Sequence, residues 1–459
     1  MKRVRTVEGS CWSCKGRRVK CDLAKPSCGH CQTLGAECVY GSVRVRWSTR
    51  PNAFQARIAN APGSSASSSS SSSCELAVYQ KRALEYFMNR LWPLFTSERV
   101  ACPFPVDAAT RDRTMLQAVC VISDAHRCRL DRRNSESGVQ LRRIHVLASI
   151  NQAISRVGMA RGPQQIQLLY AVLLLYFLDG YIDCKTENAA TLSHQMGIRA
   201  IINSSGGYQN VLASSNDALC LLISEFVAAD LSSALFRNTE PFFPPETWPL
   251  LSTYRVWWAS DKREALKLGM LFQKIAAMIF YGKGIQSAGE TASPKQVEEF
   301  EADFSPIYTS VSSSGQAGPP EGHDAGAPCT EESLLRGEFL RAYQHCASIY
   351  LYRVICRYPA QHSIVQQHVY GAISKIVAMD DESKLLDCVL LPLCVAGAHL
   401  RNASLQRTLF HKLDVIHRNL KFESVGCIKE WITGLWSLEA LPQGWTELFQ
   451  DLNPQAVVI

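Results

Sequence analysis

An all-α fold is what this 459-residue sequence predicts: a small cysteine-rich N-terminal unit, a flexible linker and a large α-helical body. Three observations predict it. Six cysteines stand within residues 11–38 in a repeated spacing, a serine tract follows at 63–73, and beyond it apolar residues recur at intervals of three and four. Strand-like alternation with hairpin turn signals is scarce. At 47% hydrophobic residues the chain can bury a sizeable core, and its length suits two or three domains of roughly 100–200 residues.

The first element, residues 1–45, concentrates charge. Of 48 Lys/Arg and 41 Asp/Glu in the whole chain, 11 and 3 fall in residues 1–50, leaving 37 and 38 for the other 409. The excess positive charge therefore sits at the N-terminus, the electrostatic footprint of a polyanion-binding module. The cysteines run Cys11-x2-Cys14-x6-Cys21-x6-Cys28-x2-Cys31-x6-Cys38. A C-x-x-C pair turns two thiolates onto one ion, and a third cysteine two helical turns later can close toward it. Three thiolates leave one corner of a tetrahedral zinc ion empty. Two such half-sites complete each other if each shares a cysteine, so that six sulfurs serve two Zn2+. A disulfide framework fits poorly, because 18 cysteines in 459 residues are sparse and MKRVRTVEGS has no apolar stretch behind it to act as a secretion signal. A thioredoxin-like redox pair would need a βαβ context that is lacking.

Between the second and third cysteines stand Lys15, Arg17, Arg18 and Lys20; the equivalent second stretch, Gln32 to Glu37, is nearly uncharged. Arginine suits bidentate bonding to guanine and lysine suits phosphate, so the first half is read as the one that meets double-stranded DNA. A nuclear import signal or a solvated face is the plainer reading of the same run. His30, between two ligands, is read as a surface or phosphate-contact residue.

Residues 46–75, with Pro51, Pro62 and GSSASSSSSSS, have nothing to bury and form the linker. No sustained heptads mark a coiled coil between Tyr40 and Ser64, so monomeric binding and a homodimer through the helical body both stay open. The body, 76–459, begins with Leu76, Tyr79, Ala83, Phe87 and Leu91 on one helical face that Pro93 ends. Near the other end Leu405, Leu409, Leu413, Ile416 and Leu420 form a core-facing stripe. Further helices are expected around 112–130, 141–157, 164–178, 217–236, 261–280, 333–357, 364–378 and 384–400, with an exposed low-complexity loop at 310–328. The longest apolar run, eleven residues at 168–178, falls short of the roughly 20 that cross a bilayer and reads as a buried helix, with no membrane partner. Cys120, Cys220, Cys346 and Cys394 lie in apolar patterns and read as core. VEEFEADF at 297–304 resembles an activation segment or, more plainly, an exposed helix or loop edge of the body. Asn203 and Asn402 match the glycosylation pattern only by chance.

The cysteine segment resembles the DNA-binding domain of the fungal zinc binuclear cluster transcription factors, C-x2-C-x6-C, a loop, then C-x2-C-x6–8-C. Lys20, Asp22, Pro26, Gly35 and Tyr40 fit as well. The resemblance implies that Cys11 and Cys28 bridge both metals, that Cys14 and Cys21 complete one zinc, and that Cys31 and Cys38 complete the other. It also implies that Arg18 makes the principal base contact to a CGG-type triplet, with Arg17 facing DNA beside it. Two departures are Gly16 within the first helix, costing about 0.5–1 kcal/mol of helix preference, and Arg in place of the usual Lys at 18. In the body, LEYFMNRLWPLF at 84–95, DAHR at 124–127 and VGCIKEWITGLWSLEAL at 425–441 are similar to the all-helical fungal-specific transcription factor regulatory domain. Together these imply a nuclear regulator of RNA polymerase II genes, meeting the transcription machinery and controlling a metabolic or secondary-metabolite cluster. No zincin, hydrolase, phosphate-loop or dinucleotide motif appears, so no enzyme is expected. The rival reading is an enzyme or metal-responsive scaffold whose basic segment serves only nuclear targeting.

Overall fold

A computed structural model describes residues 10–17, 19–36, 38, 76–130, 136–157, 163–185, 189–305 and 331–459. Arg18, Tyr40, the linker 46–75 and the loop 310–328 lie outside the described residues. The chain divides into two compact units, 1–90 and 91–459. Every regular element among the described residues is helical.

In the first unit two short helices, Trp12–Arg17 and Gly29–Thr33, precede the helix Val78–Tyr86, which continues through a π-helical turn at Phe87–Leu91. Leu76, Ala83, Phe87 and Leu91 are buried as their spacing predicts. Tyr79 is not: it is 53% exposed, one residue into a helix that starts only at Val78. After the π turn, Trp92–Phe95 is a 3-10 turn containing Pro93, where the missing N–H costs nothing.

In the second unit the helix Asp217–Arg237 is apolar all round and buried along nearly its whole length, as a helix packed on every side must be. Asn216 opens it by accepting from the Leu219 N–H at 3.0 Å, and Asn238 closes it in the left-handed region at φ 49°. Its buried acids find donors: the Tyr181 hydroxyl donates to Glu225 at 2.8 Å, while Asp230 pairs with Arg199 and accepts from the Phe242 N–H at 2.7 Å. Pro163–Phe177, Lys262–Ala288, the turn Trp92–Phe95 and the short helix Trp445–Phe449 pack against it, while Arg113–Leu130 packs with Glu136–Val157 and Pro163–Phe177, Pro163–Phe177 with Thr191–Ser204, Glu331–Tyr350 with Ser363–Ala378, and Ala403–Leu420 with Glu423–Trp436. Trp248, Trp258, Phe272 and Tyr343 form a continuous aromatic cluster between several of these elements.

Leu405 is only half-buried, but Leu409, Leu413, Ile416 and Leu420 are buried as expected, and Asn402 serves as N-cap, accepting from the Ser404 and Leu405 N–H groups. Cys120, Cys220, Cys346 and Cys394 are buried core residues. The segment around 297–304 is part of the helix Pro294–Phe304, whose Phe300 and Phe304 are buried and stacked. The expected helix 384–400 is instead a 3-10 turn, Leu386–Cys388, followed by Leu390–Ala398, because Pro392 is tolerated only in a first helical turn. Three helices, 164–182, 217–237 and 262–288, are long and apolar enough to cross a membrane, so the eleven-residue run understated the first; 83%, 94% and 56% of their apolar windows are buried within the body.

The C-terminal segment closes the body. The Val457 N–H donates to the Gly180 carbonyl at 2.9 Å and the Leu390 N–H to that of Ile459 at 3.2 Å. Gly180 is required there: a Cβ would lie 2.3 Å from Val457 Cγ2.

Candidate metal centre and nucleic-acid interface

Each C-x-x-C begins a short helix, and that local geometry turns paired sulfurs to one side. Cys28 precedes Gly29–Thr33 in extended backbone, its carbonyl accepting from the Cys31 and Gln32 N–H groups at 2.9 Å. The Cys14 N–H donates to Cys11 Sγ at 3.4 Å, and the Cys28 N–H to Cys38 Sγ at 3.2 Å. Such donors favour thiolate over thiol.

The sulfurs fall into two sets of four, each within 4.8 Å: Cys11, Cys14, Cys21 and Cys28 in one, Cys11, Cys28, Cys31 and Cys38 in the other. Cys11 and Cys28 belong to both. Separations of 3.7 Å for Cys11–Cys28, 3.7 Å for Cys11–Cys31 and 3.6 Å for Cys14–Cys28 compare with the roughly 3.8 Å tetrahedral edge set by a Zn–S bond of about 2.3 Å. The donor set therefore fits zinc in chemistry and in size. Apart from Val19 and the half-buried Cys38, the packed centre of this segment is cysteine alone. Burial pushes the Cys28 thiol up to about 12 and Cys11 higher still. At Cys38 burial also opposes ionisation, but the Cys28 N–H and neighbouring donors outweigh it and hold the thiol at about 7. Without a cation the buried Cys11 and Cys28 thiols hold their protons; a bound cation is what makes those two thiolates favourable.

The flanking residues brace this arrangement. Asp22 accepts from the Gly29 N–H at 2.8 Å and the Ala24 N–H at 3.2 Å, which hold its carboxyl below the usual range. It thereby ties the loop to the start of the second helix. A Cβ at Gly29 would approach Asp22 Oδ2 to 2.8 Å, and Gly35 takes φ +57° just beyond that helix. His30 is exposed, as expected.

Of the four cations read as DNA contacts, Arg17 and Lys20 are exposed, Lys15 lies in the first helix, and Arg18 is outside the described residues. Arg17 has a second role that spacing did not reveal. Its Nε donates to the Ser13 carbonyl at 3.2 Å and its Nη2 to Cys31 Sγ at 3.3 Å, reaching from the first half to a sulfur of the second.

The family model for the fungal Zn(2)-Cys(6) binuclear cluster domain matches residues 9–48, and that for the fungal specific transcription factor domain matches 78–459. The chain belongs to the fungal-specific transcription factor family. That is a family of transcription factors and not of enzymes, so the regulator reading of the sequence stands. Among curated relatives, Arginine metabolism regulation protein II of Saccharomyces cerevisiae is 34% identical over 88 residues, 19% of this chain and 10% of that protein. Transcription factor pgmR of Aspergillus terreus is 41% identical over 56 residues, covering 12% and 30%. Transcription factor dibT of Pestalotiopsis microspora is 46% identical over 37 residues, covering 8% and 6%. The likeness to these factors thus spans a tenth, three tenths and less than a tenth of their lengths. No solved structure matches the chain.

Proposed function

We propose that this family member is a nuclear, sequence-specific regulator that grips two zinc ions through Cys11, Cys14, Cys21, Cys28, Cys31 and Cys38 and reads CGG-type triplets in double-stranded DNA. The observation that carries the reading is the pair of four-sulfur sets sharing Cys11 and Cys28, since sharing lets six cysteines satisfy two tetrahedral ions. Bound zinc supplies cross-linking and charge, not reactivity. Six thiolates and two Zn2+ contribute −2, so residues 1–50 carry about +6 when loaded, enough for steeply salt-dependent binding to phosphates.

In this reading Arg18 contacts guanine, Lys15 and Lys20 hold phosphates, and Arg17 approaches the duplex while anchored on Cys31. Control of RNA polymerase II genes of a metabolic or secondary-metabolite cluster, contact with the transcription machinery and a homodimer through the helical body complete it. Selection from a random duplex pool with the full zinc-loaded chain tests the proposal. Enrichment of CGG-type triplets is expected, with half-site spacing reporting the oligomeric state. Recovery of no common sequence would overturn it. Arg18→Ala should lose about 1–3 kcal/mol and relax preference at one base pair; a uniform loss over all sequences would assign Arg18 to phosphate instead.

A further inference from the structure

Six tyrosines are buried in the body, and five place the hydroxyl on a protein acceptor. Tyr170 donates to Asn216, Tyr181 to Glu225, Tyr343 to the Cys388 carbonyl, Tyr350 to Asn238 and Tyr352 to Glu301. Tyr176 is the exception. Only 3% exposed, its ring packed edge-on against Phe177 and Phe226, it has no hydrogen-bond partner for its hydroxyl among the described residues. Yet that oxygen is not among the atoms sealed without a partner in the interior. Buried phenols normally find partners, so this one is explained by what it faces.

Tyr176 lines a cavity of about 280 Å³ bounded by the helices Thr191–Ser204 and Asp217–Arg237 and by the C-terminal segment. Phe236, Phe449 and Leu452 supply apolar walls. Half-buried Ser233 is a second lining hydroxyl with no hydrogen-bond partner among the described residues. The C-terminal wall is pinned in place: Thr191 bonds Gln455 through its N–H and its hydroxyl, and the Val457 N–H bonds Gly180. At the exposed rim Arg237 donates to the Pro454 carbonyl at 3.1 Å, and no carboxylate among the described residues pairs with it.

The lining contains one arginine and no aspartate or glutamate, so it suits an anion and not a metal ion. A single cation is too little for a polyphosphate. The volume lies just under the span of about 300–1,000 Å³ typical of small-molecule sites, which limits the occupant to one or two rings. Burial pushes the Tyr176 phenol far above its ordinary range, with Asp230 adding to the effect, so it remains a donor at every physiological pH.

We propose that this cavity binds a small aromatic carboxylic acid, with its carboxylate on Arg237 and an oxygen at its far end on the Tyr176 hydroxyl. The site belongs to the helical body and stands whether or not the N-terminal segment reads CGG. Calorimetric titration of the full zinc-loaded chain with 4-hydroxyphenylacetate should give a Kd below about 1 mM. Phenylacetate, lacking the far oxygen, should bind about five- to tenfold more weakly, and 4-hydroxybenzyl alcohol, lacking the carboxylate, more than about tenfold more weakly. Tyr176→Phe removes a hydroxyl with no protein partner, so its ligand-free melting temperature should equal wild type while its preference for 4-hydroxyphenylacetate over phenylacetate disappears. Arg237→Gln should weaken both acids and leave the alcohol unchanged. Absence of binding by either acid up to about 10 mM, equal binding in both variants, or a lower melting temperature for ligand-free Tyr176→Phe would overturn the proposal.

Discussion

The cysteine segment and the helical body solve the same problem, paying the entropy of folding, with different materials. Among the described residues of 10–38 the packed centre is sulfur with one valine beside it, and the hydrogen bonds that Asp22 accepts and Arg17 donates do the bracing. In residues 91–459 the centre is a continuous mass of leucine, isoleucine and aromatic side chains around a helix buried on all sides. A segment of some thirty residues cannot bury enough apolar surface to fold alone, so metal–thiolate bonds must replace the missing core. The two regions should therefore fail under different insults.

Chelation should separate them most sharply. Stripping zinc should reduce affinity for the selected DNA by about a thousandfold or more, toward non-specific binding, while the thermal transition of the body stays in place. A body that melts together with metal loss would break the comparison. Within the cysteine segment, Cys11→Ala should release both ions because its sulfur belongs to both sets, whereas Cys14→Ala should leave the second site occupied. Equal zinc content in the two variants would deny the sharing. The converse insult is Phe226→Ala in the body, where a fully buried ring packs edge-on against Tyr176 and Phe243. It should cost about 3–5 kcal/mol in denaturant unfolding of the body without altering zinc content.

How far these differences could be read from sequence follows the same division. Metal-ligand spacing is a local property, so the six cysteines whose sulfurs the structure gathers into two sets could be picked out from their spacing alone. The Arg17–Cys31 bond was not, because it joins residues fourteen apart through a fold that the metals organise. In the body, stripes such as Leu409, Leu413 and Ile416 identify their helix, and the all-round apolar 217–236 announces its burial. The helix Thr191–Ser204 went unrecognised because only Thr191, Ile198 and Ile202 are buried along it. The cavity beside that helix was equally hidden, since an unpartnered hydroxyl is visible only when every neighbour is placed.

Two smaller effects sharpen the contrast. Asp387 is partly exposed but held in apolar surroundings; burial pushes its carboxyl up to about 7 against opposing help from Asn419 and Lys384. Between its ordinary value of 3.8 and 7 the folded state holds a proton that the unfolded state has lost, so stability should fall as pH rises through that window. Relative to Asp387→Asn, wild type should lose about 1–3 kcal/mol from pH 4 to pH 8, measured by urea unfolding; parallel profiles would contradict the assignment. Arg17→Gln should speed zinc transfer to a chromophoric chelator about fivefold, the value of one hydrogen bond to sulfur. An unchanged rate would leave Arg17 to DNA alone.

The most direct test of the central claim is a count of metal ions. Native mass spectrometry of the full chain should find two zinc ions in wild type and none in Cys28→Ala, with the helical content of the body retained in both. One ion in wild type, or a fully loaded Cys28→Ala, would contradict the shared-sulfur centre on which the proposed DNA reading rests.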